Sequence, residues 1–332
     1  LKMPINNDLI PKKSPMPIRF NEKPTTEFKN ALESIKVTLV QSPSFDEIKE
    51  YCIPFANATW SDDPMSFNTI MDDRTKDLVM HKVFNYQILP TTMETIRCNF
   101  LIEGIGLQEV THILRHRRAV FSAECSADKW WTHKNSLTPT SVENSPDFYE
   151  RWKKIVLETK QLYCDMIDSK QISIMDARNI LPRCLETYYF MSMSLKDTLM
   201  FINDRIDKQI QPYTDNIIAY QMILELVKKY PILVKTLNKK FIHKPAKFFV
   251  MTARQNRSTN LFQPDKDSDI FEWNEKDFIY NGTRDEINGE HSDRQIFSSI
   301  FANVEKQLEE IEKEVDEKYP AGFFERDVPT CG

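Results

Sequence analysis

Three arginines and a histidine occupy four consecutive positions, Arg115, His116, Arg117 and Arg118, in a chain whose formal net charge is −5. A guanidinium group is planar and can hold a phosphate or a carbonyl oxygen through two parallel hydrogen bonds. If the segment is extended, Arg115 and Arg117 point to one side and His116 to the other. Positive neighbours disfavour protonation of His116, and a neutral imidazole can both donate and accept hydrogen bonds. The cluster therefore indicates a site for an anionic ligand with a polar ring, and a solvated basic turn is the alternative interpretation.

Two further blocks of polar residues follow this cluster. Glu124 and Ser126 lie shortly after it, and Ala177-Arg178-Asn179-Ile180-Leu181-Pro182 precedes Thr187 and Phe201-Ile202-Asn203-Asp204-Arg205. In order and spacing the blocks resemble the signature of the flavin-dependent thymidylate synthase family. There Arg-His-Arg is followed by Asn-Glu-x-Ser, and an Ala-Arg-x-x-Leu-Pro segment precedes a threonine and Asn-x-Arg. The resemblance covers roughly residues 35 to 235, about the length of one domain.

The resemblance implies a role for each residue at a motif position. The catalytic residues would be Arg115, His116, Arg117, Ser126 and Arg205. The flavin would be bound by Arg115, His116, Arg117, Glu124, Thr95, Ser194 and Gln209. The pyrimidine nucleotide would be held by His112, Ser126, Lys129, Arg178 and Arg205. Gln211 stands at the family's Ala-Gln position.

The activity that the resemblance implies is an FAD-dependent methyl transfer. A one-carbon unit would pass from methylenetetrahydrofolate to C5 of dUMP, giving dTMP, and reduced FAD, recharged by NADPH, would supply the hydride. An arginine near the pyrimidine carbonyls would stabilise the charge that develops when C5 acts as a nucleophile. Family members are usually homotetramers in which more than one subunit builds each site. Two alternatives stay open: another C5 modification such as hydroxymethylation of another pyrimidine nucleotide, and a nucleotide-binding protein without catalysis.

The chain departs from the family pattern at several of these positions. It has another residue type where the family has a characteristic one: His112 for glutamine, Thr95 for histidine, Asp128 for arginine, and Ser194 and Met200 for asparagines. Lys129 is the cation nearest to the missing arginine, and a lysine is a point charge rather than a fork. One extra residue also separates Arg117 from Ser126. These changes leave the exact substrate and the one-carbon donor open.

Composition excludes several other classes of protein. The six glycines form neither GxGxxG nor GxxxxGK[ST], which argues against a Rossmann or P-loop nucleotide site. The six cysteines form no CxxC pair, no apolar run approaches the roughly 20 residues that span a bilayer, and the N-terminus lacks an apolar signal-peptide core. We therefore expect a cytoplasmic protein without a membrane partner or a metal. The Lys, Asn and Ile content is typical of an AT-rich genome such as that of a phage.

The helices and strands expected around these residues indicate an α+β fold, with a twisted and mostly antiparallel sheet and packed helices. An irregular arm is expected over residues 1–34, the catalytic domain over 35–235, and a C-terminal extension with a final amphipathic helix over 236–332. Strands are expected at Ile35–Val40 and Ile96–Ile102. Helices are expected to start within Ser42–Glu47, after Ser145 and at Ser194, and to span 215–229 and 294–318. The helix after Ser145 presents one apolar face: Phe148, Trp152, Ile155, Val156, Thr159, Leu162 and Met166.

Three other features allow two interpretations each. Trp130 and Trp131 could stack on a flavin or a folate ring, but adjacent tryptophans are more often core residues. For Cys125 a buried and inert thiol is preferred over a reactive one. Residues 239–249 mix cations and aromatic rings, which could bind single-stranded nucleic acid, but an amphipathic surface segment is the preferred interpretation and no nucleic-acid partner is expected.

Overall fold

The computed structural model describes residues 24–58, 61–126, 131, 133–206, 212–237 and 290–328. The strands are β1 (Phe28–Asn30), β2 (Lys36–Gln41), β3 (Arg97–Gly106), β4 (Val120–Ala123), β5 (Ser136–Thr138) and β6 (Glu186–Ser194). The helices are α1 (Phe45–Asn57), α2 (Pro64–Ile70), α3 (Asp73–Phe84), α4 (Leu107–Ile113), α5 (Thr140–Glu143), α6 (Pro146–Asp168), α7 (Ile174–Ala177), α8 (Leu195–Arg205), α9 (Tyr213–Lys229) and α10 (Glu290–Lys318). Short 3₁₀ helices span Pro90–Thr95, Arg178–Ile180, Pro231–Thr236 and Phe323–Glu325.

The main sheet has four strands in the order β2-β3-β6-β4, and every neighbouring pair is antiparallel. Cys98, Phe100 and Ile102 alternate along β3 and are fully buried, as expected for a strand with one face on the core. β1 and β5 form a separate parallel pair. The α+β fold with a mostly antiparallel sheet is therefore confirmed, and β1 lies in the stretch that was expected to be irregular.

A β-bulge in β3 depends on a glycine. The register against β6 shifts between Glu103 and Ile105, and Gly104 lies there with φ +71°. A Cβ atom at this position would lie 1.7 Å from the backbone oxygen of Ser34. The position therefore excludes every side chain, both by its left-handed backbone and by the close approach of the chain before β2.

Helix α9 packs along the sheet and supplies much of the core. Its residues Ile217, Ile218, Met222, Ile223, Leu226 and Val227 are all fully buried, as the sequence pattern predicts. Gln221 accepts a hydrogen bond from the backbone N–H of Val37 (2.8 Å) and donates one to the carbonyl of Ile35 (3.0 Å). The helix thus also satisfies backbone groups at the edge strand β2.

The predicted helix starts are confirmed at Ser44 and Ser194. Ser44 forms a capping box with Glu47, and the Ser194 hydroxyl accepts from the backbone N–H of Asp197 at 3.1 Å. Ser145 does precede α6, but its hydroxyl donates to the carbonyl of Ser141 and caps nothing.

The predicted buried face of α6 is wrong in part. Phe148, Ile155 and Leu162 are exposed, whereas the buried residues are Val156, Lys160, Tyr163, Cys164 and Ile167. Tyr163 and Ile167 pack with Trp131, Ala177, Leu181 and Leu185 in a second apolar cluster. Two neighbouring faces of this helix carry apolar residues, and only tertiary packing selects which one meets the core.

Helix α10 lies on the core through its apolar stripe. Phe297, Val304, Leu308 and Val315 are buried, and Phe297 stacks on Tyr213 with ring centroids 4.9 Å apart. The expectation of a final amphipathic helix packed on the core is confirmed, whereas residues 239–249 lie outside the described residues. In the part of the chain that the structure describes, no helix combines the length and apolar content that crossing a bilayer requires.

Candidate functional site

The basic cluster forms a turn between α4 and β4. The backbone N–H of His116 bonds to the carbonyl of Ile113, and that of Ala119 bonds to the carbonyl of His116, which closes two successive turns. The extended backbone considered for this segment is therefore wrong. Arg115 and Arg117 are exposed, and neither makes an ion pair or side-chain hydrogen bond with the described residues. They can approach an anion from solvent without breaking an existing contact.

Arg118 and Ser194 anchor this turn to the start of α8. Arg118 donates to a carboxylate oxygen of Asp197 (3.1 Å), and Ser194 donates to the other oxygen (2.8 Å). The Ser194 hydroxyl, which the resemblance assigns to the flavin, is therefore already engaged in the helix cap. This leaves its expected flavin contact as a prediction.

His116 lies on the inner side of the turn. Its ring meets the ring of Phe201 edge-on, with centroids 5.2 Å apart, and its Nε2 atom is buried without a hydrogen-bond partner. Burial is the main cause that lowers the pKa of His116; nearby Arg205 and Arg118 act in the same direction, and Asp204 and Asp197 oppose them. The neutral form expected from its basic neighbours is favoured, but desolvation is the larger reason.

Asp215 joins two of the residues assigned to the nucleotide. One carboxylate oxygen, Oδ2, accepts from Arg205 Nη1 at 3.0 Å and lies 2.9 Å from His112 Nδ1. The Asp215 side chain is only 1% exposed, and burial raises its pKa, while His112 and Arg205 counteract part of that shift. His112 and Arg205 are 93 positions apart in sequence, and the tertiary structure brings them into contact.

Arg205 is held at the end of α8 from several directions. Its guanidinium lies over the ring of Phe201, 5.5 Å from the centroid, and its backbone carbonyl accepts from Asn216 at 2.8 Å. Because Phe201 contacts both Arg205 and His116, the structure brings three predicted site residues together: His112, His116 and Arg205. We call these three residues with Asp215 and Phe201 the Arg205 cluster.

Glu124 occupies a buried ionic site beside β6. Lys134 Nζ donates to both carboxylate oxygens, at 2.9 and 2.7 Å, and the Thr187 hydroxyl donates at 3.0 Å. The Glu124 side chain is 2% exposed. Lys134 and Asp215 are not predicted from the sequence, because a lone lysine in a loop and a lone aspartate in the first turn of a helix carry no motif.

The remaining predicted residues make no hydrogen bond or ion pair with the Arg205 cluster in the described structure. Ser126 lies half-buried after β4, Arg178 begins the 3₁₀ helix Arg178–Ile180, and the Thr95 hydroxyl donates to the carbonyl of Thr92 (2.7 Å). Lys129, Gln209 and Gln211 lie outside the described residues. Within the residues that the structure describes, one chain therefore brings together only part of the predicted site.

The chain beyond β4 confirms one interpretation and corrects another. Trp131 is fully buried, as expected of a core tryptophan, and its Nε1 donates to the carbonyl of Cys125 at 3.4 Å. Cys125 itself is exposed, so the expected buried thiol is wrong. The reason is that Cys125 lies just beyond the end of β4, which is an edge strand of the sheet. Trp130 lies outside the described residues.

Comparisons with known proteins bear on the family and the fold of this chain. The model of the family described as thymidylate synthase complementing protein matches residues 41–232. The chain is 27% identical over 141 residues to the flavin-dependent thymidylate synthase of Pyrococcus furiosus, which covers 41% of this chain and 57% of the relative. It is 28% identical over 159 residues to the flavin-dependent thymidylate synthase of Thermococcus onnurineus, covering 46% and 64%. The matches thus span less than two thirds of either relative.

A solved structure shares the fold. The chain is similar to a UMP/dUMP methylase, PolB, from Streptomyces cacaoi bound with 5-Br dUMP, with a TM-score of 0.53 and 15% identity over 66% of this chain and 98% of that one. At this identity the likeness concerns the fold alone. The family match, in contrast, covers more than half of the chain and includes the basic turn, Arg178 and Arg205. The protein belongs to the family of thymidylate synthase complementing proteins.

Proposed function

We propose that the protein is a flavin-dependent thymidylate synthase that transfers a one-carbon unit from methylenetetrahydrofolate to C5 of dUMP. The product is dTMP, and NADPH returns the flavin to its reduced state. The observation that carries the proposal is the Arg205 cluster under a turn with two exposed arginines, in a chain of this family. A buried, oriented cation beside accessible ones is what a nucleotide with a charged phosphate and a polar ring requires.

FAD fits the residues at the turn. Arg115 and Arg117 are exposed and make no ion pair with the described residues, so they can hold a diphosphate, and the buried Nε2 of His116 offers a hydrogen-bonding group to a polar ring. Bound FAD would supply the hydride that completes the methyl group. Glu124, Thr95, Ser194 and Gln209 remain predicted contributors to the same cofactor site.

The proposed contribution of this chain's side chains to the reaction of dUMP is electrostatic. Arg205 is oriented before ligand arrives, so it can stabilise charge on a pyrimidine carbonyl without reorganising. His112, with Nδ1 toward Asp215, presents the other edge of its ring. Ser126, Lys129 and Arg178 complete the proposed substrate contacts, and in this scheme no cysteine acts as the nucleophile.

We further propose a homotetramer with shared sites. Val120, Phe190 and Met200 are exposed large apolar side chains on β4, β6 and α8, next to the basic turn. Apolar residues grouped beside a binding site favour association with another subunit. A neighbouring copy would also supply Arg178, which lies outside the contacts of the Arg205 cluster in its own chain. The reaction is proposed to take place in the cytoplasm.

UMP is a second candidate substrate. The Streptomyces cacaoi protein that shares the fold is named a UMP/dUMP methylase. In addition, His112 stands where the family pattern has a glutamine. Hydroxymethylation in place of methylation is a further alternative, because water could replace the hydride in the last step.

The test is a visible absorption spectrum of the protein reconstituted with FAD, followed by titration with dUMP and with UMP. We expect a flavin band that changes on nucleotide addition, and mass spectrometry of the product should show an added methyl group. A hydroxymethyl adduct would establish the alternative reaction. Protein that remains colourless and binds neither nucleotide would refute the proposal.

A further inference from the structure

We propose that Asp215 is the positioning residue of the nucleotide site: its buried carboxylate holds Arg205 and His112 side by side so that both address one ligand. The inference rests on the proposed function and deepens it, because it names the group that arranges the substrate contacts. Asp215 itself is too deeply buried to touch substrate, so its effect passes through its two partners.

A single oxygen atom makes both contacts. Asp215 Oδ2 lies 3.0 Å from Arg205 Nη1 and 2.9 Å from His112 Nδ1, and these two nitrogens are 3.4 Å apart. Two basic side chains approach to that separation at a lower free-energy cost when one carboxylate oxygen contacts both of them. The shared oxygen therefore fixes the distance between the guanidinium and the imidazole.

The three residues come from the ends of three different helices. His112 lies in the last turn of α4, Arg205 is the last residue of α8, and Asp215 lies in the first turn of α9. The two basic side chains sit at carboxyl ends and the carboxylate at an amino end, which is the arrangement that the helix dipoles favour. Asp215 thus connects the helix that follows β3 with the helix that follows β6.

A gain in folding stability does not by itself explain why the carboxylate of Asp215 is buried between two basic side chains. Burying an ion pair loses hydration energy that the mutual attraction often only balances, whereas removing one partner leaves an uncompensated charge. The histidine also gains a defined tautomer, because an Nδ1 proton donated to Asp215 leaves Nε2 as an acceptor, 3.5 Å from Arg205 Nη1, where both groups can address one ligand. Orientation of two ligand-binding side chains is a consequence that an apolar replacement would not reproduce.

The experiment compares Asp215→Asn with Asp77→Asn. Asp77 is a second buried carboxylate, on α3 and not part of the Arg205 cluster, which accepts from Lys49 (3.2 Å) and from the Tyr319 hydroxyl. Both variants lose one buried negative charge, so both lose stability. FAD-loaded wild type and variants are titrated with dUMP, and thermal unfolding is recorded for each.

We expect Asp215→Asn to weaken dUMP binding at least about tenfold, since one charge-assisted arrangement is lost, while Asp77→Asn stays within about twofold of wild type. Asp215→Glu, which keeps the charge but displaces it, should fall between them, and it is the deciding variant if Asp215→Asn does not unfold cooperatively. Wild-type affinity in Asp215→Asn, or in Asp215→Glu when it decides, overturns the inference. Wild type that binds no dUMP instead defeats the proposed function, and that result is visible before any variant is compared.

Discussion

Lys134 Nζ bridges both carboxylate oxygens of Glu124, at 2.9 and 2.7 Å, where the Glu124 side chain is almost completely shielded from water. Glu124 follows the edge strand β4, and Lys134 precedes β5, so the pair closes the loop between them. The backbone carbonyl of Lys134 in turn accepts from the fully buried Lys160 at 2.7 Å. Buried ionic groups therefore hold the two ends of the segment that carries Ser126.

Replacing Lys134 by methionine should strongly destabilise the protein, because Glu124 would remain buried without its counter-charge. The free energy of unfolding should fall by about 3–5 kcal/mol, measured by urea unfolding at neutral pH. Lys154→Met is the matched control, since Lys154 forms only an exposed pair with Glu158 at 3.8 Å, and we expect less than about 1 kcal/mol there. Similar losses in the two variants would show that the buried pair contributes no more than a surface one.

Gly104→Ala should be among the most damaging single methyl additions in the described structure. The added Cβ would meet the backbone oxygen of Ser34 at 1.7 Å, so strand β3 or the chain before β2 must move. We expect a loss of at least about 3 kcal/mol in the free energy of unfolding.

Gly322→Ala separates this clash from the backbone effect. Gly322 also has a left-handed backbone, with φ +74°, but the nearest atom to an added Cβ lies 3.8 Å away. Its loss should therefore be only about 1–2 kcal/mol, the strain of the left-handed conformation. Equal losses at positions 104 and 322 would argue against the close approach at Ser34.

His81 makes stability fall at acid pH. Its ring is buried against Phe324, with centroids 4.6 Å apart, and burial lowers the pKa of His81 from 6.5 to about 4. Between those two values the unfolded chain binds more protons than the folded one, so stability is lost as pH falls through this window. The loss attributable to His81 should approach about 3 kcal/mol by pH 4.

The pH dependence of unfolding checks this effect. His81→Phe should lose stability less steeply than wild type between pH 6.5 and 4, whatever its stability at neutral pH. Ile155→Ala, at an exposed position without a titratable group, should keep the wild-type slope. Parallel curves for His81→Phe and wild type would contradict the assignment.

Arg178→Ala and Arg205→Ala should each weaken dUMP binding in the FAD-loaded protein. Loss of one charge-assisted contact corresponds to about 1.5–3 kcal/mol, or roughly tenfold to a hundredfold in affinity. Arg151→Ala, on the exposed surface of α6, is the control and should bind dUMP as wild type does. If the affinity is unchanged in both site variants, neither arginine holds the nucleotide.

Local signals in the sequence predict a large part of this fold. The apolar periodicity of α9 and the serines that begin α1 and α8 act within one or two turns of helix, so neighbouring residues suffice to recognise them. The exposed stripe of α6 shows where that reasoning stops. Phe148 and Ile155 fit the periodicity as well as Val156 does, and only the packing of Trp131 and Leu185 selects the buried face.

The candidate site was predictable in its arginines but not in its organisation. Family-like spacing indicates Arg178 and Arg205, whereas nothing near Asp215 in sequence shows that His112 will lie beside it. Turn formation at His116 also depends on α4 ending at Ile113. A short apolar run does not decide between a helix and a strand, so the sequence alone does not place this end. Contacts between distant segments, and contacts between subunits, are the information that a single sequence does not carry.

A crystal structure of the protein with FAD and dUMP tests the central claim most directly. We expect Arg115, Arg178 and Arg205, taken from as many subunits as are needed, to surround one flavin and one pyrimidine nucleotide. If these arginines lie on separate surfaces once all neighbouring subunits are included, the proposed site does not exist.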